Sequence, residues 1–270
     1  MKKGLGTRIY TIFYLLFLYL PIILLPIFAF NDAKIIRFPL EGFTTKWFVA
    51  LTTEPGLGRA ALTSLKVAVI VSILATLLGI FAARAGTKYR FRGKTAVLGA
   101  IMLPLILPEI ILGAALLAVI VGVGIELSIF TIILGHVLIC TPFSIAVLNS
   151  AFQSMDPSLE EAAYDLGETP WSAFRLVILP LVTPGIISSL LITFIISLDE
   201  FIIAFFLASS DPTLPVYLWS QITKASGKMP IVMALGTLLV LLSVVLLIIA
   251  EYFRRRGIAR SGGKDTGGFL

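Results

Sequence analysis

The stretch Ser158–Pro180, SLEEAAYDLGETPWSAFRLVILP, is a polar and largely acidic island in an otherwise very apolar chain. Asp156-Pro157-Ser158 opens it with a capping side chain and a proline at the first helical position, where a missing amide costs nothing. A short helix should therefore run from Leu159 to Leu166, with Glu160 and Glu161 in the first turn, where the helix dipole favours acids. Gly167 ends it, since glycine takes a left-handed cap without strain. Thr169-Pro170 repeats the cap-and-proline pattern, so a second short helix over Trp171–Ile178 should follow at an angle and be closed by Leu179-Pro180. The expected product is a helix-turn-helix knob in which Ala162 and Ala163 permit close approach by a partner.

Outward from this island the chain is apolar. Its 270 residues are 58% hydrophobic and 13% charged, with a mean hydropathy of +1.03, which excludes an ordinary soluble domain and fits a bundle of membrane helices. Uncharged stretches place spans at about 9–30, 60–83, 95–121, 128–151, 183–208 and 229–250. The first follows Lys2, Lys3 and Arg8, but its apolar run is too long for a signal peptide and no small-residue cleavage site follows, so it is expected to stay as an anchor. The second carries Ala75, Gly79 and Ala83, a small-residue face for close packing. The third is interrupted by Pro104 and Pro108 and carries Glu109.

Six spans put both termini on one side, and fourteen of the 21 lysines and arginines fall on that side, including Arg84, Lys88, Arg90, Arg92 and Lys94. The positive-inside rule makes that side cytoplasmic. The net charge of +6 thus orients the chain and meets anionic lipid; no nucleic-acid partner is needed to explain it. Residues 257–270, rich in Gly and Ser, should form a disordered cytoplasmic tail. Gly93-Lys94-Thr95 resembles the end of a phosphate-binding loop, but position 88 is Lys88 where that loop needs glycine, and no strand precedes it. Cys140 is the single cysteine and says nothing of redox compartment.

Glu161-Ala162-Ala163, three residues, Gly167, nine residues, Val177, one residue and Leu179-Pro180 resemble the EAA motif of permease subunits in type I ABC importers, with valine in place of the usual isoleucine. The resemblance implies an all-α membrane protein with the six-transmembrane-helix permease fold over 1–256, whose coupling loop, 156–180, seats in a cytoplasmic ATPase. It implies Glu160, Glu161, Ala162, Ala163, Asp165, Gly167, Leu179 and Pro180 as the ATPase-coupling residues. It further implies a second homologous permease, a dimer of ABC ATPases, an extracytoplasmic binding protein and a bacterial inner-membrane location. ATP and magnesium would sit on the partner ATPase, with no cofactor on this chain. The other reading of this stretch is an amphipathic loop between two spans.

Carboxylates inside spans are costly enough to mark function by default. Ser189, Thr193, Ser197 and Glu200 recur at helical spacing as a polar stripe, which favours Glu200 over its neighbour Asp199 as the residue facing a solute pathway. By helical rise the pair lies about 21 Å from the cytoplasmic mouth near Gly185. The alternative is that the hydroxyls bond neighbouring helices and Asp199 pairs with a partner's arginine. Glu109, after two prolines, suits a pathway or a structural role equally. His136 and Cys140 share a helical face, where packing is expected for a histidine with no visible carboxylate partner.

The segments FPLEGFTTKWF (Phe38–Phe48) and SLDEFIIAFFLASSDPTLPVYLWSQ (Ser197–Gln221) are similar to those of permeases in spermidine and putrescine importers. That resemblance implies a polyamine solute, and paired carboxylates suit a polycation. The rival classes are permeases for another solute and an ATPase-independent channel or secondary transporter. An intramembrane enzyme has no nucleophile-and-base arrangement to support it.

Overall fold

The computed structural model describes residues 3–224 and 228–260 and is almost wholly helical, with no strand among those residues. Five helices among the described residues are long and apolar enough to cross a membrane, and the pair Lys94–Leu105 and Glu109–Gly122, bent by 103°, makes six when counted as one span. Two compact units divide the chain: Met1–Gly58 with Tyr217–Leu242, and Arg59–Val216 with Ser243–Leu270.

In the first unit, helix α1 (Lys3–Ala29) is exposed over residues 6–23, an apolar surface suited to lipid. The chain then turns through a single antiparallel bridge between Asn31 and Phe43, and the Trp47 indole donates to the Asn31 carbonyl at 2.7 Å. Trp47 lies on the short helix α2 (Lys46–Ala50). Lys228 pairs with Glu54 at 2.5 Å, and the Tyr217 hydroxyl donates to the Pro55 carbonyl at 3.0 Å.

The second unit contains most of helix α3 (Leu57–Lys88), then α4 (Lys94–Met102), α5 (Glu109–Gly122) and α6 (Ile129–Gln153). The knob follows as α7 (Ser158–Asp165) and α8 (Pro170–Ala173). After it come α9 (Leu179–Asp199), α10 (Ile202–Leu207), α11 (Leu214–Thr223) and α12 (Met229–Arg260), the last two shared with the first unit. Because α12 continues to Arg260, four residues expected in the tail are helical; the rest of that expected tail, 261–270, lies outside the described residues.

Small residues set the helix spacing. A methyl group on Gly185 would stand 2.5 Å from the Ala151 Cβ, and one on Gly79 would stand 2.0 Å from the Ser144 hydroxyl, so α9 and α3 pack against α6 at points where only glycine fits without a shift. Around these contacts lie buried Ala83, Leu148, Phe152, Ile178 and Val182, and a second buried cluster holds Val67, Val71, Ile132, Ile139, Ile203 and Leu207. Lipid offers no hydrophobic drive between helices, so such close packing and interhelical hydrogen bonds hold the bundle.

Two expectations are corrected. The second knob helix is not closed by Leu179-Pro180: α8 passes through a π-helical turn, Phe174–Ile178, directly into α9, giving one span over Pro170–Asp199. The wider turn gives the Pro180 ring room and makes no use of the amide that proline lacks. The same span ends at Asp199, nine residues short of the expected boundary at Ala208, and the intervening residues include the separate helix α10.

Replacing Gly185 by alanine should lower the melting temperature of the detergent-solubilised chain, since overpacking a well-filled contact costs about 1–3 kcal/mol. Gly99→Ala, with nothing within 4 Å, should leave it unchanged or raise it slightly. Thermal unfolding monitored by size-exclusion chromatography compares the two, and a Gly185→Ala chain as stable as wild type would contradict the close approach of α6 and α9.

Candidate functional site

The knob is built by its caps. The Asp156 carboxylate accepts from the Ser158 amide at 3.0 Å, and this bond holds the Asp156 carboxyl below its ordinary value. At the far end of α7 the Gly167 amide donates to the Tyr164 carbonyl at 2.9 Å and the Glu168 amide to the Ala163 carbonyl at 3.0 Å, a paired closure that requires the left-handed φ of +87° at Gly167. The Thr169 hydroxyl accepts from the Ser172 amide at 3.3 Å and starts α8.

The predicted coupling residues divide by face. Glu161, Ala162, Asp165, Gly167 and Pro180 are exposed, and Leu179 is half-buried. Glu160 and Ala163 turn into the chain and are buried, so neither is on the outer surface of the knob. Both Glu160 oxygens accept from Arg84 Nη2, at 2.5 and 2.6 Å; Lys88 Nζ also donates to this carboxylate, and the Tyr164 hydroxyl donates to it at 2.6 Å. Burial pushes the carboxyl up, but the hydrogen bonds from Arg84, Lys88 and Tyr164 outweigh it and bring it down to about 2. Exposed apolar groups stand beside the acidic face: Leu166 is 86% exposed and Trp171 70%.

The pathway candidates also separate. Ser189, Thr193 and Ser197 do form a stripe at helical spacing, but it is buried against neighbouring helices of the same unit. The Ser189 hydroxyl bonds Thr76 on α3 at 3.1 Å and Ser144 on α6 at 2.8 Å, the Thr193 hydroxyl donates to the Ser189 carbonyl at 2.7 Å, and the Ser197 hydroxyl bonds His136 Nδ1 at 2.9 Å. These hydroxyls find their partners inside the bundle, and none of the three lines the cavity that Glu109, Asp199 and Glu200 share.

Glu200 ends the stripe in a different role. The chain breaks there in an extended conformation, and the carboxylate reaches forward to accept from the Ile203 and Ala204 amides, at 2.9 and 3.0 Å, at the start of α10. His136 Nε2 lies 3.2 Å from its Oε2, so the histidine has the carboxylate neighbour that its sequence context did not reveal. Asp199, expected to be the lesser of the pair, is the exposed one, and accepts from the Ser243 hydroxyl of α12 at 2.8 Å.

Two helix breaks meet at one cavity. Between α4 and α5 the chain passes through Leu103–Leu105 and an extended Pro108, and between α9 and α10 through Glu200. Glu109, Asp199 and Glu200 all line a cavity of about 500 Å³ between these breaks, with Pro104, Phe143 and Phe201 in its apolar wall. Irregular backbone at membrane depth is tolerated where it lines such a space. Among the described residues no group of three metal-ligating side chains occurs.

Residues 75–258 match the family described as binding-protein-dependent transport system inner membrane component. The chain is 34% identical over 271 residues to the spermidine/putrescine transport system permease protein PotC of Shigella flexneri, covering 99% of this chain and 97% of that protein. It is likewise 34% identical over 248 residues to the putrescine transport system permease protein PotI of Escherichia coli strain K12, covering 89% and 87%. It overlays a chain of a bacterial ABC transporter involved in the import of alginate with a TM-score of 0.70 at 21% identity, over 93% of this chain and 94% of the other, a likeness of fold. By its helical membrane architecture and by this sequence match, the chain belongs to the family of inner-membrane components of binding-protein-dependent transport systems.

Proposed function

We propose that this permease imports polyamines, and that the solute passes the cavity lined by Glu109, Asp199 and Glu200. The observation that carries the reading is the meeting of three carboxylates with apolar walls at two helix breaks. A polyamine presents ammonium groups on methylene spacers, so carboxylates can pair its charges while Leu105, Phe143 and Ile196 contact its hydrocarbon. Glu109 and Asp199 are the exposed carboxylates and the ones placed to meet a passing cation. Glu200, committed to the α10 amides and to His136, holds the break open. The similarity to permeases named for spermidine and putrescine supports the same solute class.

In this reading the chain pairs with a second permease in the bacterial inner membrane, with both termini cytoplasmic. An external binding protein delivers the solute. Of two cytoplasmic ATPases, which carry the ATP and magnesium, one docks on this chain at the exposed face of α7 and the Leu166–Trp171 corner. Closure of the ATPases biases a helix bundle with two arrangements, one open to each side. The acidic and apolar exposure of Glu161, Asp165, Leu166 and Trp171 supports such a docking face.

Uptake of labelled putrescine and spermidine by cells carrying the operon tests the solute. Asp199→Asn and Glu109→Gln should each lower uptake about tenfold, the scale of one charged hydrogen bond lost to the solute. Undiminished uptake in both variants would remove the cavity from the pathway, and no polyamine uptake by an assembled wild-type complex would assign another solute. Glu200→Gln should behave differently, lowering the melting temperature of the purified chain through loss of about 1–2 kcal/mol of capping at α10. A Glu200→Gln chain with wild-type stability and a raised KM would instead make Glu200 a solute ligand.

A further inference from the structure

Four side chains from two helices close on one another beside the knob. Arg84 and Lys88 stand one turn apart at the end of α3, and Glu160 and Tyr164 one turn apart on α7. Arg84 Nη2 lies 2.5 and 2.6 Å from the two oxygens of Glu160, and Lys88 donates to the same carboxylate. Tyr164 donates to Glu160 at 2.6 Å and accepts from Lys88 at 2.8 Å, so three of the four pairs across the junction are joined, all but Arg84 with Tyr164. The Arg84 guanidinium also lies 5.9 Å from the ring centre of Phe152, which brings in the end of α6. Glu160 is 9% exposed, and the cluster borders a cavity of about 380 Å³ that Thr87, Met155 and Pro157 complete.

An ion cluster taken out of water contributes little to stability compared with apolar packing, and its best-attested use is to fix how two elements register. Here the elements are the knob and α3, which the sequence separates by more than sixty residues. We infer that Glu160 is a positioning residue that locks α7 to the end of α3, so that displacement of the knob by a partner moves α3 together with α9. The inference rests on the reading of the knob as the ATPase-docking element, and it takes Glu160 out of the docking surface.

The test uses the complex purified from the operon with its ATPase and binding protein, reconstituted in proteoliposomes. Glu160→Gln should keep the ATPase bound at wild-type stoichiometry. It should also lower both putrescine imported per ATP hydrolysed and stimulation of hydrolysis by the binding protein, by about tenfold, within the usual range of coupling between sites. Combining it with Arg84→Gln should lose no more than the single variant, because an unpaired buried guanidinium is removed at the same time. Wild-type coupling in Glu160→Gln overturns the inference, and so does loss of the ATPase from an otherwise assembled Glu160→Gln permease pair, which would put Glu160 on the docking surface. If Glu160→Gln does not assemble, Tyr164→Phe decides: weaker coupling supports the latch and unchanged coupling overturns it. Stimulation by the binding protein is read without a solute, so a wrong solute assignment leaves that result standing, whereas a wild-type complex that holds no ATPase removes the inference with its foundation.

Acid gives an independent readout. The Glu160 carboxyl is held at about 2, below its ordinary 4.5, so the stability it contributes is fully present above about pH 4.5 and is lost as pH falls through about 2. The melting-temperature gap between wild type and Glu160→Gln should therefore close over that window; a gap independent of pH would contradict an ionised latch.

Discussion

A backbone amide left without an acceptor in hydrocarbon costs several kcal/mol, and the Glu200 carboxylate meets that demand where the chain breaks inside an apolar region. By accepting from Ile203 and Ala204 it allows α9 to stop and α10 to start without a glycine or proline at the break. The cavity exists because this break and the one before Glu109 face the same space. His136, wholly buried, stands against the carboxylate and is itself bonded to Ser197, so the break is braced from α6.

The same constraint orders the rest of the second unit. Where α3, α6 and α9 touch, glycines bring the backbones together and hydroxyls of Thr76, Ser144 and Ser189 bond across the seam. These hydroxyls bond one another inside the bundle, so polarity here serves association of helices, while the exposed carboxylates Glu109 and Asp199 line the cavity.

Much of this was legible in residue order. Composition gave the membrane bundle, Pro104 and Pro108 gave the break before Glu109, and Pro157, Gly167 and Thr169-Pro170 gave the knob, because each of those residues acts on its own local backbone. What stayed hidden depends on partners far along the chain. No proline or glycine marks the end of α9, so the stripe reads straight through Glu200, and the period of three to four residues that located the stripe cannot say whether it faces a cavity or another helix. Glu160 sits among acids suited to a docking face, and its inward turn follows from Arg84 and Lys88, more than seventy residues earlier. The continuity through Pro180 is hidden because proline often stops a helix, whereas here a wide turn leads into it and the span continues through Pro184 as well.

That wide turn has a mechanical consequence. Pro170–Asp199 is thirty residues of unbroken span, a rod of about 45 Å with the knob at one end and the cavity carboxylate Asp199 at the other. A tilt of about 5° pivoted near the knob would sweep the far end by about 4 Å, comparable to the width of a methylene chain. The chain thus has a lever built from a single helix, softened where the π turn, Phe174–Ile178, and the prolines Pro180 and Pro184 interrupt its regular hydrogen bonds.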